Sequence, residues 1–292
     1  MRILIASDGS KLAERAVRLV ESLPWAAGTS FHLVVVDDGR LHPMGASGGP
    51  VPLEEYAADP GDPAEIARQA AGFLLRPGWS VDWAVEQGRA ATVIVDATKA
   101  IGADLVVVGS RGRGRLGSLA LGSVSAEVAG DATASVLVAR GDGPFERVVL
   151  ADDGSPSAAR ARAIVGSWPI FAASAITVTC VAHARPALAP VVVPAIAAQT
   201  TVLDAGTLEA ARRHRDEVLE EAGRTLSAEG RQVELTGGEG DPATRIVDLA
   251  GDLGADLIVS GSRGLTGLDR LLLGSVARNL LYAAPCSMLI AR

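Results

Sequence analysis

Lysine is almost missing from this 292-residue chain. It occurs only at Lys11 and Lys99, so no Gly-Lys-Ser/Thr triplet exists and a P-loop is excluded. Aromatic residues amount to 3%, too few for an aromatic-rich β-sandwich. The two cysteines, Cys180 and Cys286, lie in apolar runs far apart and read as buried thiols in a reducing compartment, not as a disulfide framework. The four histidines, His32, His42, His183 and His214, form no ligand-spaced cluster, so no structural zinc site is implied. No apolar run reaches the roughly 20 residues of a membrane span. The amino terminus passes straight into a strand pattern without a signal peptide. A cytoplasmic protein with no membrane partner is therefore expected. A net charge of −7 and a pI near 5.2 argue against a general nucleic-acid coat protein, so no nucleic-acid partner is expected.

What the chain does contain is Ala, Val and Leu. Apolar residues make up 48% and the mean hydropathy is +0.28, which rules out disorder and suits buried parallel strands covered by helices. The length allows two domains, each with its own core.

The chain is also written twice. Ile3–Ala16 reads ILIASDGSKLAERA and Val148–Ala161 reads VVLADDGSPSAARA. Gly88–Arg140 aligns without gaps on Gly240–Arg292, with about half the positions identical. A period this long means whole domains, because solenoid repeats run to about 20–50 residues. Matched residues lie 145 apart early in the copies and 152 apart later, so the second copy carries seven extra residues between Val181 and Gly240. With GDGP at 141–144 as the linker, two domains are expected, over 1–142 and 143–292.

Within a copy, strand and helix patterns alternate. The first copy predicts strands near 2–7, 31–36, 81–86, 104–109 and 135–139, and helices near 10–22, 63–75, 91–101 and 123–131. Ser10, and Ser155 followed by Pro156, read as helix starts. In the second copy, 207–228 reads as a longer charged amphipathic helix. The expected fold class is α/β: two tandem doubly wound parallel-sheet domains of five strands each, Rossmann-like, with ligands beyond the carboxyl ends of the strands.

The fourth strand of each copy runs into a glycine loop: Gly109-x-x-Gly112, nine residues, then Gly122-Ser123, and Gly261-x-x-Gly264, nine residues, then Gly274-Ser275. Glycines permit close backbone approach, successive N–H groups can form an anion nest, and the following helix start adds partial positive charge. A phosphate site is expected in each copy. Arg111 and Arg263 stand between the signature glycines and read equally as phosphate contacts or as solvated surface residues. Two other patterns are dismissed. Gly112-x-Gly114-x-x-Gly117 spells a dinucleotide fingerprint but follows the fourth strand and is not repeated. Gly45–Gly49 spells a nucleophile elbow with no helix after it.

These residues resemble the ATP-binding branch of the universal stress protein family, whose signature G-x2-G-x9-G-[ST] is met twice, with the likeness running through both copies. The resemblance implies that Asp8 and Asp153 contact the adenosine end, although either carboxylate also reads as a helix-start charge. It implies that Val36 and Val181 offer backbone contacts to adenine. It further implies that the signature glycines, with Ser123-Val124-Ser125 and Ser275-Val276, hold the phosphates of ATP, with Mg²⁺. Ala277 lacks the hydroxyl of Ser125, so a weaker grip is expected in the second copy. The last strands are expected to pair the two domains as an intramolecular pseudo-dimer, with a further homodimer open. The leading functional reading is an ATP-binding stress-response regulator. The alternatives are a slow ATPase or nucleotide-dependent transferase, and a scaffold for another nucleotide. No duplicated catalytic constellation favours an enzyme.

Overall fold

The computed structural model describes residues 1–37, 62–112, 121–183, 205–264 and 273–292. In the first half the order is β1 (Arg2–Ser7), α1 (Lys11–Ser22), β2 (Ser30–Asp37), α2 (Pro63–Phe73), β3 (Ser80–Gln87), α3 (Ala90–Ala100), β4 (Leu105–Gly109), α4 (Ser123–Asp131) and β5 (Ser135–Ala139). The second half repeats it: β6 (Arg147–Ala151), α5 (Pro156–Ser167), β7 (Ala175–Ala182), α6 (Ala205–Ala228), β8 (Val233–Glu239), α7 (Pro242–Asp252), β9 (Leu257–Gly261), α8 (Ser275–Ala283) and β10 (Ser287–Ala291). The elements fall where alternation placed them. The long charged helix of the second half begins two residues before the expected start, at Ala205.

The helix starts follow from local chemistry. Ser10 Oγ accepts from the Ala13 N–H and Ser155 Oγ from the Ala158 N–H, each at 3.2 Å. Asp62 and Asp241 cap α2 and α7 in the same way, with Pro63 and Pro242 at first-turn positions where a missing N–H costs nothing. The strands LVVVG and SVLVA are buried at every position, as parallel strands covered on both faces require.

The ten strands form one sheet in the order β3-β2-β1-β4-β5-β10-β9-β6-β7-β8. Every neighbouring pair is parallel except β5 with β10, where Val136, Leu137 and Val138 face Ile290, Leu289 and Met288. Each half is thus a doubly wound five-stranded unit, and the halves join edge to edge. One apolar core lies between the sheet and α1, α2, α5 and α6; the other lies under α3, α4, α7 and α8. Both cores draw on residues from both halves, so the molecule has two layers of helix on one continuous sheet. Among the described residues no helix is long and apolar enough to cross a membrane. Cys180 and Cys286 are buried free thiols, and burial pushes them up to about 12 and about 11.

Candidate functional site

In the strand order of the first half, chain direction across the sheet reverses between β1 and β4. Such a switch point opens a crevice at the carboxyl ends of the two strands. Asp8 follows β1, and Gly109 ends β4, followed by Ser110, Arg111 and Gly112. Val36 lies near the end of β2, one residue past the Ser7–Val35 pair. The second half repeats this with Asp153 after β6, Val181 near the end of β7, and Gly261 to Gly264 at and beyond the end of β9.

The Asp-Gly-Ser turn aims the carboxylate. Asp8 Oδ1 accepts from the Ser10 N–H at 3.0 Å, and Asp153 Oδ1 accepts from the Ser155 N–H at 3.0 Å. The glycine between them has φ of +72° at Gly9 and +76° at Gly154, a backbone shape that other L-residues resist. The second carboxylate oxygen then hangs over the glycine loop. A Cβ built on Gly112 would stand 2.5 Å from Asp8 Oδ2, and one on Gly264 would stand 2.6 Å from Asp153 Oδ2. A side chain at the signature glycine would therefore push the carboxylate from this position.

The ends of the loop are clipped together by backbone bonds. The Gly122 N–H donates to Ser110 O at 2.8 Å, and the Gly274 N–H donates to Ser262 O at 2.9 Å. The Ser110 and Ser262 N–H groups bond Ala139 and Ala291, tying the loop to the last strands. A Cβ on Gly122 or Gly274 would lie 3.2 Å from the Cα of Arg111 or Arg263. Asp8, Arg111, Gly112 and Gly122 are thus brought together, as are Asp153, Arg263, Gly264 and Gly274. Most of the nine-residue span between the signature glycines lies outside the described residues, as do Gly114, Gly117, Gly45–Gly49 and His42.

Gly122 and Gly274 are the N-caps of α4 and α8, and neither helix has a side-chain cap. The ladders begin with Ala126 N–H to Gly122 O and Arg278 N–H to Gly274 O. The N–H groups of residues 123–125 and 275–277 therefore precede the ladder at the positive end of a helix. Ser123 and Ser275 are exposed at the first position, while Val124 and Val276 follow on the same turn.

Ser125 departs from the expectation. Its hydroxyl is buried and donates to Gly109 O at 2.6 Å, turned toward the strand end. In the second half Ala277 cannot do this, and Ser260, standing where the first half has Val108, donates to Gly261 O at 3.2 Å. Three further features escape a reading of the signature alone. Ser157 Oγ donates to Arg263 O and accepts from the Arg263 N–H at 3.1 Å, fixing the second loop onto α5. His214 Nε2 lies 3.1 Å from Asp153 O, so α6 reaches the second crevice. Arg140 and Arg292, just past β5 and β10, stand beside Arg111 and Arg263 electrostatically. The matched Ala-Arg endings of the copies were visible in the sequence; what the arginines meet was not.

The model of the Universal stress protein family matches residues 1–140 and again 144–292. The chain is 39% identical over 75 residues to universal stress protein YxiE of Bacillus subtilis, covering 26% of this chain and 51% of that protein. It is 50% identical over 54 residues to a universal stress protein of Methanocaldococcus jannaschii, covering 18% of this chain and 32% of that one. These matches thus span about half or less of the relatives' own length. A universal stress protein of Thermus aquaticus is 36% identical over 138 residues, 47% of this chain and 97% of its own. Among solved structures, a universal stress protein from Archaeoglobus fulgidus superposes with a TM-score of 0.63 at 19% identity, covering 100% of this chain and 98% of that one, a likeness of fold.

Proposed function

The chain belongs to the universal stress protein family in both of its halves, and on that premise we propose that each half binds one adenine nucleotide, ATP with Mg²⁺. In this reading 1–142 and 143–292 are two nucleotide-binding domains joined as an intramolecular pseudo-dimer. Their occupancy sets conformation or partner affinity in a cytoplasmic stress response.

The observation that carries the reading is a duplicated juxtaposition. In each half a carboxylate leans over a glycine, and that glycine lies beside a helix start with no side-chain cap. The closest contacts of Gly112 and Gly264, and of Gly122 and Gly274, agree within about 0.1 Å between the halves, as two sites built for one ligand would. The groups present suit a nucleoside polyphosphate. The N–H groups of 123–125 and 275–277, the Ser123 and Ser275 hydroxyls, and Arg111 and Arg263 would face the phosphates. Ser125 takes part by its N–H rather than its hydroxyl. Asp8 and Asp153 would accept from the ribose, and the backbone at Val36 and Val181 would meet the base. Mg²⁺ would arrive with the polyphosphate, whose oxygens supply ligands.

The test is a thermal and calorimetric titration of nucleotide-free protein. At about 100 times Kd, one occupied site adds roughly 2.7 kcal/mol if the unfolded chain does not bind. Two ATP per chain and a rising Tm are expected. An unchanged Tm through millimolar ATP would sink the reading, and turnover near about 10 per second would replace regulation with catalysis.

A further inference from the structure

Arg140 and Arg292 each cross into the opposite half. Arg140 Nη1 donates to Cys286 O at 3.1 Å and Nη2 to Leu281 O at 2.5 Å. Arg292 Nη2 donates to Ala129 O and, at 2.9 Å, to Gly130 O. Their backbones are held as well: the Arg140 N–H donates to Ser287 Oγ at 3.0 Å, and the Arg292 N–H donates to Ser135 Oγ at 3.3 Å. Leu281 lies in the last turn of α8, and Ala129 and Gly130 in the last turn of α4. Arg140 and Arg292 are repeat partners, as are Leu281 and Ala129, and Ser287 and Ser135, so the contact is self-complementary. Of the carbonyls they hold, those of Leu281, Ala129 and Gly130 are ones a helix leaves unpaired at its negative end, where a guanidinium is favoured; that of Cys286 lies just past the end of α8.

The helices held are the two whose starts carry the proposed phosphate sites. Each has nine residues, about 14 Å of helix, so a grip on its last turn fixes where its first N–H groups point. We infer that Arg140 and Arg292 couple the two nucleotide sites: each positions the phosphate-binding helix of the opposite half, so that nucleotide in one half tightens binding in the other. This rests on the nucleotide reading above.

The sign follows from the neighbours. Burial above all pulls the Arg140 guanidinium below its ordinary range, with Cys286 opposing and Arg111 adding to it, and burial and Arg263 do the same to Arg292 against Asp131. A polyphosphate at Arg111 offsets that repulsion. Arg140 is then held more firmly on α8, whose start is the second site. The same steps run from Arg263 through Arg292 to α4, and linkage makes the effect mutual.

Full-length protein titrated with ATP and Mg²⁺ by calorimetry tests this. Gly274→Val, whose side chain would crowd the Arg263 backbone, confines binding to the first half. Adding Arg292→Met, a change in the half that no longer binds, is expected to weaken the remaining site by about five-fold or more. Arg292→Lys keeps the charge but not the planar fork and should recover part of the loss; it also serves if the Met variant does not fold. In the otherwise wild-type chain, the second ATP should bind more tightly than independent sites allow, and Arg140→Met should remove that excess. A residue that only supports the fold would lower Tm and leave the Kd of folded protein unchanged. An unchanged Kd in both Arg292 variants would overturn the coupling while two ATP still bind. Absence of any ATP binding to wild-type protein would instead overturn the nucleotide reading, and the coupling with it.

Discussion

A strand-end carbonyl facing a helix needs a donor, and the two halves supply it from opposite sides. Gly109 O receives the hydroxyl of Ser125 from α4, whereas Gly261 O receives that of Ser260 from its own strand. Val108 and Ala277 fill the complementary positions, so one hydroxyl is kept at each strand end while its carrier changes. The Ser125/Ala277 difference is thus a difference of packing, and it gives no reason for the second half to hold phosphate less firmly. The same two glycines differ in how closely a helix approaches them. A Cβ on Gly261 would meet the backbone of Ser157 and Ala158 at 2.6 and 2.7 Å, while one on Gly109 would meet Leu12 O at 3.2 Å. Backbone cannot swing aside as a side-chain tip can. Gly261→Ala should therefore cost about 2–3 kcal/mol and Gly109→Ala about 1 kcal/mol or less. Urea melts of the two variants check this, and equal losses would contradict it. The glycine signature was plain in the sequence, but the destination of the Ser125 hydroxyl was not. It depends on how closely α4 approaches β4, which is a tertiary distance.

At the scale of elements, α1 and α5 are twins that dock differently. Where the first copy has Val17 and Ser7, the second has Arg162 on α5 and Asp152 after β6, with Nε and Oδ2 3.5 Å apart and both residues buried. Asp152 Oδ1 accepts from the Gly154 N–H at 2.9 Å, but Asp152 Oδ2 and Arg162 Nη1 are buried with no hydrogen-bond partner among the described residues. Burial pushes the Asp152 carboxyl above its ordinary range, against the Gly154 bond and Arg162, which pull it down. A raised folded pKa means the folded state holds the proton longer. The stabilising share of this carboxyl is therefore full below about 3.9, its unfolded value, and is lost as pH rises through the folded one. Arg162→Val alone, leaving a lone buried carboxylate, should cost about 3–5 kcal/mol at pH 7 and recover part of that loss toward pH 5. Arg162→Val with Asp152→Ser installs the first half's own pair, and should equal or exceed the wild type. A double variant less stable than the single would refute this account. Alternation of apolar strands and helices made the elements of the first copy legible in advance, and the repeat carried them to the second. The buried pair was not legible, because Asp152 beside Asp153 looks in sequence like a second helix-start carboxylate.

For the whole molecule, the question is what becomes of sheet edges. The outer strands β3 and β8 leave Trp83 and Leu235 exposed but carry Asp82, Glu86, Glu234 and Glu239, charges that oppose strand addition. The inner edges carry no charge at all: SVLVA meets SMLIA. Leu137 lies opposite its own repeat partner Leu289, so the local two-fold passes between them, and the same surface serves on each side. The repeat and its apolar last strands were readable from the sequence; that the join would be reinforced by arginines at helix ends was not, since their acceptors are backbone carbonyls about 150 residues away. A surface that is complementary to its twin is also complementary to itself. The fragment 1–142 keeps the β5 edge and Arg140 while losing β10, so two copies should pair β5 to β5 with Leu137 facing Leu137. Sedimentation should show a dimer at micromolar concentration. Arg140→Met, which removes the guanidinium held on the helix end across the join and leaves the apolar core untouched, should shift it toward monomer without unfolding it. A fragment that is folded by circular dichroism yet monomeric at all accessible concentrations would show that the join depends on tethering within one chain. The self-complementarity of the β5 edge would then be too weak to act alone, and the high effective concentration supplied by the linker would be what keeps the ten-stranded sheet continuous.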